Sequence, residues 1–163
     1  MKIIICEGIT EVALVHSLNE KISQSFGVDK LNSIGHSPVN VAEDIHLVNL
    51  KGNTNINSVV KTLCKTLVDK EVDRIGFIMD ADNNFNAMKD NLNEKIEKFK
   101  IAGIEAEFDY YILPKNDGTF GMAEDLVMQG LYKQSLMSVI NNQVYPIIDN
   151  HPEKDIKNPS KTK

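Results

Sequence analysis

The sequence predicts an α/β domain with a mostly parallel four-stranded sheet flanked by helices. Short apolar runs alternate along the chain with segments whose apolar residues recur at helical spacing, which is typical of strand–helix–strand units. The chain has 163 residues, of which 42% are hydrophobic and 25% are charged. This composition excludes a disordered or fibrous protein, and the length favours a single domain.

The four predicted strands are continuous apolar runs bounded by turn residues, as expected of strands buried on both faces. They are Lys2–Cys6, Ile45–Leu50, Arg74–Met79 and Phe108–Leu113. The first is followed by a helix that Thr10 is predicted to cap. Its apolar stripe is Val15, Leu18, Ile22 and Phe26.

The segment 27–44 is polar and irregular, and it is interpreted as a loop or a short excursion. A helix from about Asn57 to Val68 precedes the third strand. The clearest amphipathic pattern follows that strand, because its apolar residues are spaced 3, 4, 4 and 3 apart. These residues are Phe85, Met88, Leu92, Ile96 and Phe99.

The C-terminal part is predicted to contain a helix start at 122–126 and a further helix at about 132–141. We expect one domain over residues 1–150, followed by a polar, Lys-rich tail at 151–163 that extends into solvent. No apolar run approaches the ~20 residues of a membrane span, and the N-terminus does not resemble a secretory signal. Cys6 and Cys64 lie in apolar segments without metal-type spacing, which favours reduced thiols in the cytoplasm.

The charge of the chain limits its partners. It has 18 Lys and Arg against 23 Asp and Glu, a net charge of −5, and Arg74 is its only arginine. Because duplex binding needs basic faces and base readout relies on arginine, a tight, sequence-reading DNA binder is disfavoured. If the chain handles nucleic acid, a metal ion or a protein partner must help to neutralise the phosphates.

Acidic residues follow three of the predicted strands. Glu7 comes directly after the first strand, Asp80 and Asp82 follow the third, and Glu124 and Asp125 follow the loop after the fourth. The carboxyl ends of parallel strands meet at one edge of a sheet, so these acids are expected to converge there. Clustered carboxylates repel one another and favour a cation, and Mg²⁺ or Mn²⁺ suits oxygen ligands of this kind.

Each acid also has a structural explanation when it is taken alone. Asp82 is equally well placed to cap a helix, and acids at 124 and 125 would complement a helix dipole. An EF-hand loop is excluded, because its sixth and twelfth positions would be Phe85 and Asn91 rather than Gly and Glu. A haloacid-dehalogenase motif is disfavoured, because Asp-x-Asp follows the third strand and not the first.

An ordered set of three motifs resembles the Toprim domain over roughly residues 2 to 130. The motifs are Cys6-Glu7-Gly8, Ile78–Asp82 and Gly121–Leu126, with Leu113-Pro114 before the last. The closest similarity is to small stand-alone prokaryotic Toprim proteins related to OLD-type nucleases. The resemblance implies a compact Rossmann-like fold with a Mg²⁺ site that is lined by Glu7, Asp80 and Asp82. It also implies that the chain is truncated, since relatives continue beyond its Lys-rich tail.

The function implied by this resemblance is metal-dependent cleavage of phosphodiester bonds in nucleic acid. Glu7 would act as general base or orient the attacking water, while Asp80 and Asp82 hold the metal ion. Glu124 and Asp125, with Glu11, would complete a second metal position. Glu11 departs from the family's usual Asp, so it is either a longer-reaching ligand or an acid on the helix surface. The alternative function is a non-catalytic Toprim-fold module that binds nucleic acid or protein.

Overall fold

The computed structural model of the chain describes residues 1–21, 28–42 and 44–126. The chain divides into two compact units, Met1–Glu124 and Asp125–Lys163. Only residues 125 and 126 of the second unit lie in the described part. The domain boundary expected at residue 150, the helix predicted at 132–141 and the Lys-rich tail therefore lie outside the described residues.

The first unit is an α/β structure with a five-stranded mixed sheet. Its strands lie in the order β2-β3-β1-β4-β5. Their bounds are β1 Lys2–Cys6, β2 Val39–Ala42, β3 Ile45–Asn49, β4 Arg74–Asp80 and β5 Glu107–Leu113. Neighbours among β3, β1, β4 and β5 pair in parallel, whereas β2 pairs antiparallel with β3. The fold class agrees with the prediction, but a five-stranded mixed sheet replaces the predicted four-stranded one.

The additional strand, β2, lies in the segment that the sequence predicted to be a loop. It has only four residues, follows Pro38, and has an irregular register against β3 between Asn40 and Ala42. Such a short edge strand carries too few residues to show a two-residue periodicity. Its formation depends on tertiary packing, because Val41 is buried against the apolar residues beneath the sheet.

In the described part of the first unit, the helices that accompany the sheet are α1 Ile9–Lys21, α2 Val28–Ser33, α3 Ile56–Leu67 and α4 Phe85–Ile101. A single 3₁₀ turn, Asn53–Asn55, leads into α3. The patterns predicted for α3 and α4 are confirmed, with ends that differ by one or two residues. None of the described helices is long and apolar enough to cross a membrane.

The start of α1 differs from the prediction. The helix begins at Ile9, so Thr10 lies inside its first turn and is not the cap. Gly8 precedes the helix, and its carbonyl accepts a hydrogen bond from the Val12 N–H at 3.3 Å. Leu18 was expected on the apolar stripe but is 51% exposed. Ile22 and Phe26, from the same predicted stripe, lie outside the described residues.

The core consists of two apolar clusters. The larger one packs β1, β4 and β5 against α3 and α4, and the smaller one includes Cys6, Val12 and Leu47 beneath α1. In the larger cluster the ring of Phe99 lies 6.4 Å from Phe77 and 5.9 Å from Phe108, measured between centroids. Covering both sides of the parallel strands leaves their carboxyl ends as the open edge of the sheet.

Candidate functional site

Glu7 and Asp80 lie together at the carboxyl edge of two neighbouring parallel strands. The register of β1 and β4 sets Cys6 opposite Ile78, and the Glu7 N–H extends this pairing by donating to the Ile78 carbonyl at 3.1 Å. The Glu7 side chain then turns toward β4, where its Oε2 accepts a hydrogen bond from the Asp80 N–H at 3.2 Å. One carboxylate is therefore fixed against the backbone that carries the other.

Asp82 follows in an unusual backbone conformation. Its φ angle is 47°, in the left-handed region that Asp and Asn tolerate better than most residues. The Asp82 carbonyl accepts a hydrogen bond from the Gly121 N–H at 2.9 Å, which forms an isolated antiparallel bridge. The loop after β5 is thereby held beside the Asp-x-Asp segment, and the Asp82 side chain remains exposed.

Asp80 holds the segment that follows Gly121 through a hydrogen bond to Ala123. Its Oδ1 accepts a hydrogen bond from the Ala123 N–H at 2.8 Å, an interaction typical of a carboxylate at a helix N-terminus. The next residue, Glu124, accepts a hydrogen bond from the Thr10 hydroxyl at 3.1 Å through its Oε1. Glu124 therefore lies between Asp80 and the first turn of α1, while its side chain stays exposed.

Glu11 is buried, with a relative exposure of 2%. Its Oε2 accepts a hydrogen bond of 2.6 Å from the Gly8 N–H, which is the capping-box arrangement at the start of a helix. A Cβ atom at position 8 would lie only 3.2 Å from this oxygen, so glycine lets the carboxylate approach closely. The interpretation of Glu11 as a helix-surface acid is wrong, because this local hydrogen bond draws the side chain inward.

Asp125 is exposed and begins the second compact unit. Its assignment to a metal site therefore stays a prediction, and the site in the first unit is described by itself. Within that unit the structure brings together the other five acids predicted from the sequence. They are Glu7, Glu11, Asp80, Asp82 and Glu124, contributed by the ends of β1 and β4, by α1 and by the segment after β5.

The acids raise one another's pKa values. The pKa of Asp80 rises from 3.8 to about 7, first because the carboxylate is partly buried and then because Glu11, Glu7 and Glu124 are negatively charged. The hydrogen bond from Ala123 opposes this rise only partly. Burial also raises the pKa of Glu7, and the charges of Asp82 and Glu11 add to it.

Cationic side chains do not balance these charges within the described residues. No lysine or arginine there forms an ion pair with any of the five acids. The negative charge also reaches Cys6, whose thiol pKa is raised by burial and then by Glu11. The edge therefore carries an excess of negative charge that a bound cation would relieve.

The donor set fits Mg²⁺ or Mn²⁺ in its chemistry, since all five side chains offer carboxylate oxygens. Among the described residues, no three His, Cys, Asp or Glu side chains already converge on one ion position. Convergence of three is not required, because Mg²⁺ usually keeps several waters and is held by one or two carboxylates plus substrate phosphate. Asp80 and Asp82 are the acids that flank the exposed end of β4, and they are the residues that would hold such an ion.

A polar cavity of about 340 Å³ opens beside Asp82, and sequence reasoning did not anticipate it. Its polar lining comes from Asp82 and from Asn53, Asn83, Asn84 and Asn91. Asn84 also caps α4, since its Oδ1 accepts a hydrogen bond from the Ala87 N–H at 3.0 Å, so Asp82 is not that cap. The signal in the sequence was the group of asparagines that follows β4.

Comparison with known proteins gives one result at the level of the family. No curated protein and no solved structure matches the chain. A match to one protein family extends over residues 1–163, the whole of the sequence. The chain therefore belongs to the family described as "Protein of unknown function (DUF3226)".

Proposed function

We propose that this protein is a Mg²⁺-dependent, phosphodiester-cleaving protein of the Toprim type that acts on nucleic acid. The observation that carries the proposal is the gathering of acids from separate parts of the chain around Asp80, through the contacts of Glu7, Asp80 and Glu124, and the pKa of Asp80 rises to about 7 as a result. A carboxylate whose ionisation is opposed by three other acids favours binding a cation. The order of Glu7, Asp80 and Asp82 at the carboxyl ends of β1 and β4 also matches the Toprim pattern.

In this mechanism each residue has a distinct task. Asp80 and Asp82 would hold the ion, and Glu11 and Glu124 would maintain the negative field around it. Mg²⁺ held there would supply Lewis-acid chemistry, polarising a phosphate and making water easier to deprotonate. Glu7 has a raised pKa, and the backbone N–H groups of Asp80 and Asn53 hold its carboxylate in place, so it is suited to accept the proton of the attacking water.

Substitution of the three acids at the strand ends tests the mechanism. Glu7→Gln is expected to lower kcat by about 10²- to 10⁴-fold, the usual contribution of a general base, while metal-induced thermal stabilisation is kept. Asp80→Asn and Asp82→Asn should reduce that stabilisation as well as turnover. The matched control is Asp90→Asn, because Asp90 is an exposed acid on α4 outside the site.

Cleavage should be assayed on single-stranded DNA, duplex DNA and RNA, each with Mg²⁺ and with Mn²⁺. Wild type that cleaves none of these substrates with either ion would contradict the proposal. So would a Glu7→Gln variant that retains full turnover.

The second candidate is a non-catalytic Toprim-fold module that binds protein or nucleic acid. Hydrogen bonding within the site favours it, because Glu7, Glu11, Asp80 and Glu124 all hold neighbouring segments in place. Acids retained only for such contacts would need no metal ion. Thermal melting with and without MgCl₂ or MnCl₂ separates the two functions, since saturating a site a hundredfold adds about 2.7 kcal/mol to the free energy of unfolding. Absence of a shift with both ions would favour the module.

A further inference from the structure

A groove, separate from the cavity beside Asp82, runs between α3 and α4 on the face of the sheet that these helices cover. It has a volume of about 830 Å³. Among the residues that the structure describes, its charged lining comprises four lysines and a single glutamate, in a chain whose net charge is −5. The five residues are Lys61 and Lys65 on α3 and Glu94, Lys95 and Lys98 on α4. Positive charge is thus concentrated here, whereas the carboxyl edge of the sheet is acidic.

The ammonium group of Lys95 is the most constrained part of this groove. The Lys95 side chain is only 3% exposed, and its Nζ donates to Glu94 Oε1 at 3.1 Å. The same glutamate oxygen accepts from Lys98 Nζ at 2.7 Å, so one carboxylate serves two ammonium groups. An ammonium has three N–H donors, and buried donors need acceptors. Within the described residues Glu94 is the only acceptor for Lys95, which leaves donors for an anionic ligand.

Lys61 and Lys65 extend the basic character along α3. They lie one helical turn apart and are exposed, and neither forms an ion pair with any residue in the described part of the chain. Counting Glu94 against one lysine, the groove has charge for about three phosphates. A polyanion whose charges are spaced along the groove therefore fits better than a single small ion.

The basic groove leads to the candidate metal site. Asn91 lines this groove and also lines the polar cavity that opens beside Asp82. The side chain of Phe120 is 72% exposed, and Phe120 directly precedes Gly121, whose N–H donates to the Asp82 carbonyl. Asn91 thus joins the lysine groove to the cavity at Asp82, and an exposed aromatic ring neighbours the residue that is bonded to Asp82.

We propose that the α3–α4 groove binds the phosphate backbone of single-stranded nucleic acid and directs the strand to the acidic edge. This inference rests on the proposed function, for which it names the substrate class and its path. Single-strand binding sites combine a positively charged groove with aromatic rings on which bases stack, and Phe120 supplies such a ring. In the described part of the chain no aromatic side chain lines the groove itself, so the contact there is to phosphates and independent of sequence.

The test measures binding of a fluorescein-labelled oligo-dT to the full chain in EDTA, as a function of NaCl concentration. The logarithm of the association constant is expected to fall with the logarithm of salt with a slope of about −2, the value for three phosphates on a single strand. Affinity would then drop about 16-fold between 50 and 200 mM salt. The variant Lys61→Gln/Lys65→Gln should reduce the slope to about −0.7, with a drop of less than about 3-fold.

The matched control is Lys89→Gln/Lys100→Gln. It removes the same charge from exposed positions of α4 that do not line the groove, and it should keep the wild-type slope. A control that loses as much of the slope as the groove variant would overturn the proposal, because attraction would then be diffuse. Equal thermal melting of the two variants establishes that both are folded.

Further arms identify the ligand. Phe120→Ala is expected to weaken strand binding about tenfold at every salt concentration while leaving the slope unchanged. Duplex DNA of the same length should bind more weakly, since its paired bases cannot reach the ring. Equal affinity for duplex, or full competition by equimolar tripolyphosphate, would overturn the assignment to a single strand.

The outcome is distinguishable from that of the proposed function, because binding in EDTA requires no cleavage. Strand binding through the groove in a protein that cleaves nothing would support the groove and refute the nuclease. Metal-dependent cleavage with an unchanged KM in Lys61→Gln/Lys65→Gln would support the nuclease and overturn the groove.

Discussion

Replacement of Asp80 by Asn tests whether this carboxylate has a functional or a structural role. The substitution keeps the oxygen that accepts the hydrogen bond from Ala123, and it removes the charge that Glu7, Glu11 and Glu124 oppose. The unfolded chain has no such cluster, so a neutral side chain at position 80 should favour the folded state. The effect should appear only at pH values where Asp80 is ionised in the wild type.

The size of the effect follows from the pKa of Asp80, which rises from 3.8 to about 7 on folding. Between these values the folded state binds more protons than the unfolded state, so wild-type stability falls as pH rises. Asp80 is half-buried and its charge is partly screened by solvent, which limits the loss to about 1–2 kcal/mol. The free energy of unfolding of Asp80→Asn should therefore equal that of the wild type at about pH 4. At about pH 8 it should exceed that of the wild type by about 1–2 kcal/mol.

The assay is thermal melting in EDTA at both pH values, with Asp90→Asn as control. For a chain of this length the gain corresponds to a rise in Tm of about 2–8 °C at the higher pH. Addition of MgCl₂ should then raise the Tm of the wild type more than that of Asp80→Asn. A variant that is clearly less stable than the wild type at the higher pH would refute the reasoning, because Asp80 would then be required as a structural anchor.

The remaining predictions concern single residues, and urea unfolding measures each of them. Glu11→Ala should lower the free energy of unfolding by about 1–3 kcal/mol, because it leaves the Gly8 N–H without its acceptor. Glu11→Gln keeps an acceptor oxygen and should cost less than half as much. Equal losses would contradict the capping role. Asp82→Val should lose about 1–3 kcal/mol, since a β-branched residue disfavours a φ of 47°, and Asp82→Gly should lose none from strain. Phe99→Ala should cost about 3–5 kcal/mol, because its ring is fully buried between two others, whereas Tyr111→Ala, at a position that is 44% exposed, should cost far less. Similar losses of unfolding free energy in Phe99→Ala and Tyr111→Ala would show that the contacts of Phe99 with Phe77 and Phe108 do not stabilise the core.

Local patterns in the sequence determined much of the fold. Apolar runs such as Lys2–Cys6 and Arg74–Met79 specified parallel strands because both faces of each strand are covered. Helical spacing specified α4 because one stripe of the helix has to be buried. Once the strands are parallel, acids that directly follow them share an edge, so Glu7 and Asp80 could be placed together without coordinates.

Other features depended on contacts between residues far apart in the chain. The four-residue strand β2 is too short for any periodicity, and it forms because β3 offers a free edge. The Thr10 hydroxyl was assigned to a helix cap, but it donates to Glu124, and only the folded chain brings these residues together. In the same way, the shift of the Asp80 pKa arises from burial and from charges on separate segments.

The groove between α3 and α4 shows most clearly which properties follow from the sequence and which follow from the tertiary structure. The lysine count and the negative net charge are properties of the sequence, and they predict only a weak attraction for nucleic acid. Packing of α3 beside α4 gathers Lys61, Lys65, Lys95 and Lys98 around one groove and separates them from the acids at the strand ends. Composition fixes the sum of the charges, but electrostatic attraction depends on the distances between them, and those distances are set by the tertiary structure.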